Sequence, residues 1–375
     1  MDLIAILISI LTIAILIIIH EFGHFLFAKL YGFQTPVFGI GMPFGPGIDL
    51  FKKWGTQFRF YFALIGGFVA IPELGDETNE EMLKEFKDLK PLQEFPVHQR
   101  AVVAFGGIAF NILFAFLLAI VMAACVGLPS AEPNTTIASF AQDSIAQKSG
   151  MKIGDTIISI DSYELTTANE LQRKVKSTAN TKVRLLVERN TGSKEDKKLE
   201  RLFIDLDNPG ALGVVLGSDK VYNKYPANPF IWIKEAFLFT LKTIIAMFIS
   251  IFGIFGALFH KVYSIFVPNT EPAGVNLGDV KGIVGIVQII SQDIKNNAVL
   301  LFDFSILLSL NLAVINLLPI PALDGGHLMF MAIEAITGKK PSTKFQEGLV
   351  QIGFSFLLGV IALTTFNDIK NWIFG

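Results

Sequence analysis

The chain of 375 residues is 52% hydrophobic and only 17% charged, with a formal net charge of −2. Soluble domains carry nearer a quarter charged residues, so much of this chain belongs in lipid, and so slight a charge gives no electrostatic reason to bind nucleic acid. A single cysteine, Cys125, excludes an internal disulfide framework and a cysteine-rich zinc site, leaving histidine and carboxylate as the donors for any metal.

Residues 1–30 open on a long apolar run. It lacks the basic start and the small-residue cleavage site of a signal peptide, and Ile19 runs straight into HEFGHFLFAKL. The expectation is a retained first transmembrane helix. Within it, HEFGH (residues 20–24) sets His20 and His24 at i and i+4 on one helix face, with Cβ atoms about 5–6 Å apart. Two imidazoles so placed can reach one zinc ion, and Glu21 beside the first can take a proton from the attacking water. The bare pattern is common, but ionisable groups inside an apolar helix are costly and mark function. A polar cluster or proton relay between helices is the rival reading.

Residues 31–100 read as a cytoplasmic-side loop. Its first half, with PVFGIGMPFGPG and FRFYFALIGGFVAI, is glycine-punctuated, aromatic and β-branched, which predicts a membrane-associated β-hairpin region near Val37–Ile71. Its second half, DETNEEMLKEFKDLK, reads as a charged surface helix or loop. Residues 101–127 make a second transmembrane helix. Residues 128–218 have the composition of a soluble domain: a small helix ending at Gly150, a turn at Gly154-Asp155, an alternating strand Thr156–Ile160, a helix over 166–176 and strands over 181–189 and 201–207.

Residues 219–298 are the awkward stretch. Pro229–Val267 is apolar enough to span a membrane yet carries Lys234, Glu235, Lys242 and Lys261. The reading is of interfacial or re-entrant amphipathic segments, bending at Gly253 and Gly256. A third transmembrane helix over 299–327, a cytoplasmic loop over 328–348 and a fourth transmembrane helix over 349–368 complete a polytopic α-helical membrane protein of about four spans. Lysines 339, 340 and 344 place the last short loop inside and the N-terminus outside.

A third metal ligand is required. Glu73, Glu77, Glu80, Glu81 and Glu85 lie downstream of the histidines but in a hydrophilic loop. At membrane depth only Asp303 and Asp324 offer carboxylates, and Asp324 is the better choice. Pro319 and Pro321 break helix and Gly325 and Gly326 allow sharp unwinding, so Asp324 sits on irregular backbone, which is tolerated at that depth only around a cavity or buried in protein. A helix-ending turn capped by an aspartate is the plain alternative.

HEFGH in a first span and NLLPIPALDGG in a late one, with IGMPF, ALIGGFVAIPEL, HQRAVVAFGGIAFN and VKGIVGIVQII between them, resemble the site-2 protease family, most closely its bacterial regulator-of-sigma-E protease branch. The similarity runs through most of the chain. It implies an intramembrane zinc metalloprotease with His20, His24 and Asp324 as ligands of Zn2+, Glu21 as acid/base, and Asn316 touching substrate backbone or oxyanion. Gly66, Gly67, Pro319 and Pro321 complete the expected substrate-binding set, on the strand edge Phe60–Ile71 and the broken helix. It also implies one α+β PDZ-like extracytoplasmic domain, carried by SGMKIGDTIISIDS, with Ser162 where the family has glycine; it would bind a peptide at its edge or filter by size. Gly106-Gly107 departs from the family's Gly-Pro and bears on how the second helix packs. The expected partners are the bilayer and membrane-embedded protein substrates, such as anti-sigma factors after a first cut or remnant signal peptides. The expected place is a bacterial inner membrane. A non-catalytic membrane chaperone and a metal or proton transporter are the rivals. His98, His260 and His327 read as boundary histidines, and Cys125 as a small apolar residue.

Overall fold

The computed structural model describes residues 3–74, 95–141, 144–178, 182–191, 199–207, 212–266 and 299–374. The charged stretch 76–90, with Glu77, Glu80, Glu81 and Glu85, lies outside them, as does the motif at 280–290. The chain forms two compact units, Met1–Val126 with Tyr225–Gly375, and Gly127–Lys224.

In the first unit, helix α1 (Leu3–Tyr31) is built from a β-branched and leucine-rich run free of proline. It stops at Gly32, whose φ of 82° is left-handed, while Phe33 donates its N–H back to Ala28 O at 2.9 Å. Four strands follow: β1 (Val37–Met42), β2 (Ile48–Lys53), β3 (Thr56–Phe60) and β4 (Ala63–Val69). They form one sheet in the order β2-β3-β1-β4, in which β1 and β3 are parallel. The expected hairpin is therefore a four-stranded mixed sheet. β2 pairs back onto β3, leaving β1 free to receive β3 on one side and β4 on the other. Phe25, Phe33, Phe38, Val69, Ile71 and Val103 are buried together where this sheet meets α1 and α2 (Val97–Cys125).

Helix α2 begins four residues before the expected span, directly after Pro96, whose fixed φ suits a helix start. It packs antiparallel along α1, and Gly23 and Gly106 set their closest approach. A Cβ on Gly106 would lie 2.7 Å from Gly23 O, so neither helix tolerates a side chain there. Gly106-Gly107 thus gives α2 a tight crossing of α1.

The second unit comprises β5 (Leu128–Phe140), α3 (Ile145–Lys148), β6 (Thr156–Ile160), β7 (Tyr163–Glu164), α4 (Ala168–Ser177), β8 (Lys182–Asn190), β9 (Leu199–Asp207) and β10 (Val214–Asn223). Its sheet runs β10-β5-β6-β8-β9, with β7 paired to β6. Alternation along β8 buries Val183, Leu185 and Val187 into a core with Ile157, Ile160, Leu171, Ile204 and Leu206. The turn at Gly154-Asp155 is fixed by charge. Asp155 is fully buried and accepts from Arg189 Nε and Nη2, both at 2.7 Å, and from Lys152 N at 2.8 Å. The carboxylate in turn holds the Arg189 guanidinium above its ordinary pKa. α4 starts with a capping box: Thr167 accepts from Glu170 N while the Glu170 carboxylate accepts from Thr166 and Thr167, which lowers its pKa. β10 continues to Asn223, five residues past the expected domain end.

Helices α5 (Pro229–Phe266), α6 (Val299–Leu317), α7 (Asp324–Thr337) and α8 (Thr343–Phe374) return to the first unit. α5 is one continuous helix through Gly253 and Gly256, packed on α2 and α6. Among the described residues five helices are long and apolar enough to cross a membrane, within α1, α2, α5, α6 and α8, one more than expected; the fifth is α5. The expected third span is split. α6 ends at Leu317, and 318–323 is irregular because Pro319 and Pro321 lack N–H donors.

Candidate active site

α2 is the wall on which the site is assembled. His20 and His24, one turn apart on α1, face it and are 6% and 7% exposed. His24 donates from Nδ1 to Val103 O at 2.8 Å, and His20 Nδ1 meets the Asn111 side-chain amide at 3.2 Å. Both rings thereby turn Nε2 towards each other, 3.2 Å apart. Gly107 lies directly against both: a Cβ there would fall 2.7 Å from His20 Nε2.

Asp324 arrives from the far end of the chain. The irregular turn after α6 puts it in the first turn of α7, with its Oδ2 3.1 Å from His20 Nε2 and 3.4 Å from His24 Nε2. Gly325 and Gly326 are helical, which corrects the expectation that they unwind the backbone. Their missing Cβ atoms make room for the carbonyls of Leu317, Leu318 and Ile320, so the broken segment can fold back on α7. Ala322 is held at φ 83°, a costly conformation for a non-glycine residue, at the tip of this turn. α7 is tied to α2 by Arg100 Nη2, which donates to Glu334 Oε1 at 2.6 Å. Pro321 is braced from behind by Gly353 of α8, where a Cβ would meet its carbonyl.

The candidate ligating atoms of His20, His24 and Asp324 lie within 4.8 Å of one another. Asp324 Oδ2 is buried and makes no hydrogen bond of proper direction, although two imidazole nitrogens are near. Two nitrogens and one carboxylate oxygen converging at one buried point fit a divalent zinc ion, which takes such donors at about 2.0–2.2 Å. Asn316, near the end of α6, brings its Nδ2 to 3.4 Å from His20 Nε2.

Glu21 faces the sheet. Its Oε2 accepts a hydrogen bond from Val69 N of β4 at 3.1 Å. Gly67 of β4 lies beside it, its Cβ position 3.8 Å from Glu21 Cγ, and Gly66 takes φ 132°, open only to glycine. β4 is the outermost strand of its sheet, within the edge expected at Phe60–Ile71.

The other candidates stand apart. Asp303 is buried in α6 but outside the cluster, Glu73 Oε1 accepts from Gln34 N, and His327 and the exposed His98 do not join the cluster. The side chain of His260 lies outside the described residues. Val103, Gly107 and Val69 were not foreseen from the sequence. Two of them act through main-chain atoms, which no residue type announces.

The sequence profile of Peptidase family M50 matches residues 8–360. A protein of Nostoc sp. named "Putative zinc metalloprotease" is 30% identical over 365 residues, 95% of this chain and 93% of its own length. One of the same name in Synechocystis sp. is 31% identical, covering all of this chain and 97% of its own. The "Membrane metalloprotease ARASP, chloroplastic" of Arabidopsis thaliana is 29% identical over 97% of this chain and 77% of its own. With long apolar helices and a buried two-histidine, one-aspartate cluster, this chain belongs to Peptidase family M50, the site-2 proteases, and is a zinc-dependent membrane metallopeptidase.

Proposed function

We propose that His20, His24 and Asp324 hold the zinc ion and that Glu21 moves the proton in hydrolysis of peptide bonds within the bilayer. The observation that carries this reading is the convergence of those three donors at one buried point, with Glu21 adjacent and an edge strand alongside. Zinc, when bound, supplies Lewis acidity, polarising the scissile carbonyl and bringing the pKa of water towards about 7. Glu21 takes the proton of the attacking water and passes it to the leaving amine. Asn316, beside His20, donates its amide to the substrate carbonyl as charge develops on the oxygen. Pro319 and Pro321 shape the wall that the substrate backbone passes.

A transmembrane helix hides its carbonyls in its own hydrogen bonds, so it must be extended before water reaches them. The edge of β4 can hold one unwound strand, and Gly66 and Gly67 let the substrate backbone come close. The substrates are then transmembrane segments of single-span proteins in a bacterial inner membrane, an anti-sigma factor after a first cut or a remnant signal peptide. Residues 128–218 act as a PDZ-like extracytoplasmic domain. Nothing in the site favours a chaperone, since every group that hydrolysis needs is present.

The decisive experiment uses purified protein in lipid nanodiscs. Glu21→Gln is expected to keep about one zinc per chain and lose all cleavage of a transmembrane substrate, because an amide cannot accept the proton. His24→Ala and Asp324→Ala lose the metal as well. Cleavage by Glu21→Gln, or by metal-free wild type, would overturn the assignment.

A further inference from the structure

The geometry points to the main-chain N–H of Val69 as a positioning group for Glu21. The proposal rests on the reading of Glu21 as the proton-transfer residue and adds what holds it. The register decides which way this amide faces. Phe38 of β1 stands opposite Val69, and Ala70 donates its N–H to Val37 O at 3.0 Å. In an antiparallel ladder donors alternate, so Ala70 bonds inward to β1 and Val69 points outward from the sheet. That outward N–H is the one that reaches Glu21 Oε2 at 3.1 Å, across 48 residues of sequence.

Two consequences follow for the reaction. A glutamate on a helix has three side-chain torsions, and general-base catalysis requires its oxygen within hydrogen-bond reach of the water. One bond from a different element fixes one carboxylate oxygen and thereby aims the other. The donor also belongs to the edge expected to receive substrate. Gly67, two residues earlier, faces outward as Val69 does, because Ile40 stands opposite it in the same alternation. The strand therefore divides its outward amides: Gly67 is available to pair with substrate, and Val69 holds the catalytic carboxylate. The scissile bond is brought to Glu21 by the same strand that positions Glu21.

The test removes this one donor. Proline is tolerated on an edge strand where the N–H faces away from the ladder, so Val69→Pro deletes the bond to Glu21 without breaking one to β1. A second variant replaces the Val69 amide by an ester, made by incorporating the α-hydroxy acid of valine in cell-free translation into nanodiscs. It changes N–H to O with almost no change of shape. Both are assayed on a fluorogenic transmembrane peptide that the wild type cuts, alongside bound zinc. The expected result is full zinc content, KM within about twofold, and kcat lower by about 10–100-fold, the usual effect of losing an outer partner of a metal-site group. An ester variant with wild-type kcat, or one whose loss lies in KM or zinc content, overturns the proposal. Glu21→Gln is run beside them. If it cuts, the reading of Glu21 fails and this proposal with it. If it is inert while the ester variant is fully active, only the positioning role fails.

Discussion

At Asn111 the chemistry of the metal dictates the orientation of an amide. A histidine that gives Nε2 to zinc carries its proton on Nδ1 and needs an acceptor there. His24 has one in Val103 O at 2.8 Å, whereas His20 has the Asn111 side chain at 3.2 Å, wholly buried and with its backbone carbonyl bonded to Ser309. Oxygen and nitrogen of an amide are distinguished by their network, and here the network asks for oxygen towards His20. Asn111→Leu is therefore expected to weaken zinc binding about 10–100-fold and Asn111→Asp to retain it, as competition with a chelator would show. At this scale the sequence was readable where side-chain chemistry is rare for its surroundings. His20, Glu21 and His24 stand out in an apolar helix, and Asp324 stands out after two prolines. Val103 and Val69 were invisible because they serve through carbonyl and N–H groups that every residue but proline offers alike. Gly107 was invisible because its need for glycine arises only once α1 lies against it.

Between elements, the crossing of α1 and α2 at Gly23 and Gly106 is the contact on which the site depends. A Cβ on Gly23 would meet the Gly106 carbonyl, and one on Gly106 would lie 2.9 Å from Phe27 Cδ2. Gly106→Val must therefore part the helices and shift both histidines from Val103 and Asn111. The expected outcome is a loss of about 1–3 kcal/mol in stability, as overpacking of a tight interior costs, together with lost zinc. Thermal unfolding and metal content of the purified variant check both. Helices were legible in outline because an apolar run of membrane length admits few alternatives. The sheet was legible only as extended chain, since parallel pairing of β1 with β3 depends on where β2 folds back, which local composition does not encode. β5 and β10 escaped notice because most of their residues are exposed or half-buried and show no clean alternation.

For the whole molecule, the direction of each helix limits the path between them. Thr12 shares a cavity of about 150 Å³ with Phe114, Leu118, Leu301 and Ser305, while His20 meets Asn111 and Asn316. α1 and α6 therefore run the same way and α2 runs against both, so with all three spanning the membrane an even number of crossings is expected between Val126 and Val299. α5 has 38 residues, about 57 Å at 1.5 Å each, against a hydrocarbon core of about 30 Å. If it crossed once, the chain would have to cross back before α6 to keep that number even. Its two ends are expected on one side. With Cys125 replaced and single cysteines at Lys234 and Lys261, an impermeant thiol reagent should label both from outside intact cells; labelling from opposite sides would refute either this path or the Asp324 ligand. The unit at 127–224 lies in the chain between α2 and α5. If it filters substrates by size, excising residues 129–217 should admit substrates whose extracytoplasmic domain is intact, and a uniform fall in cleavage would mark it as a scaffold instead.

The meeting of Asp324 with His20 and His24 also has a bearing on time. The histidines are synthesised before the aspartate, which follows ~300 residues later. At about 5–20 residues per second, they are in the membrane for roughly 15–60 s before their third partner exists. During that interval the nascent chain lies beside newly inserted transmembrane segments, its own included, with no complete cutting centre. If the proposed centre cuts membrane helices, the chain is thus harmless to its own helices laid down in that interval, and becomes competent only once Asp324 has been made.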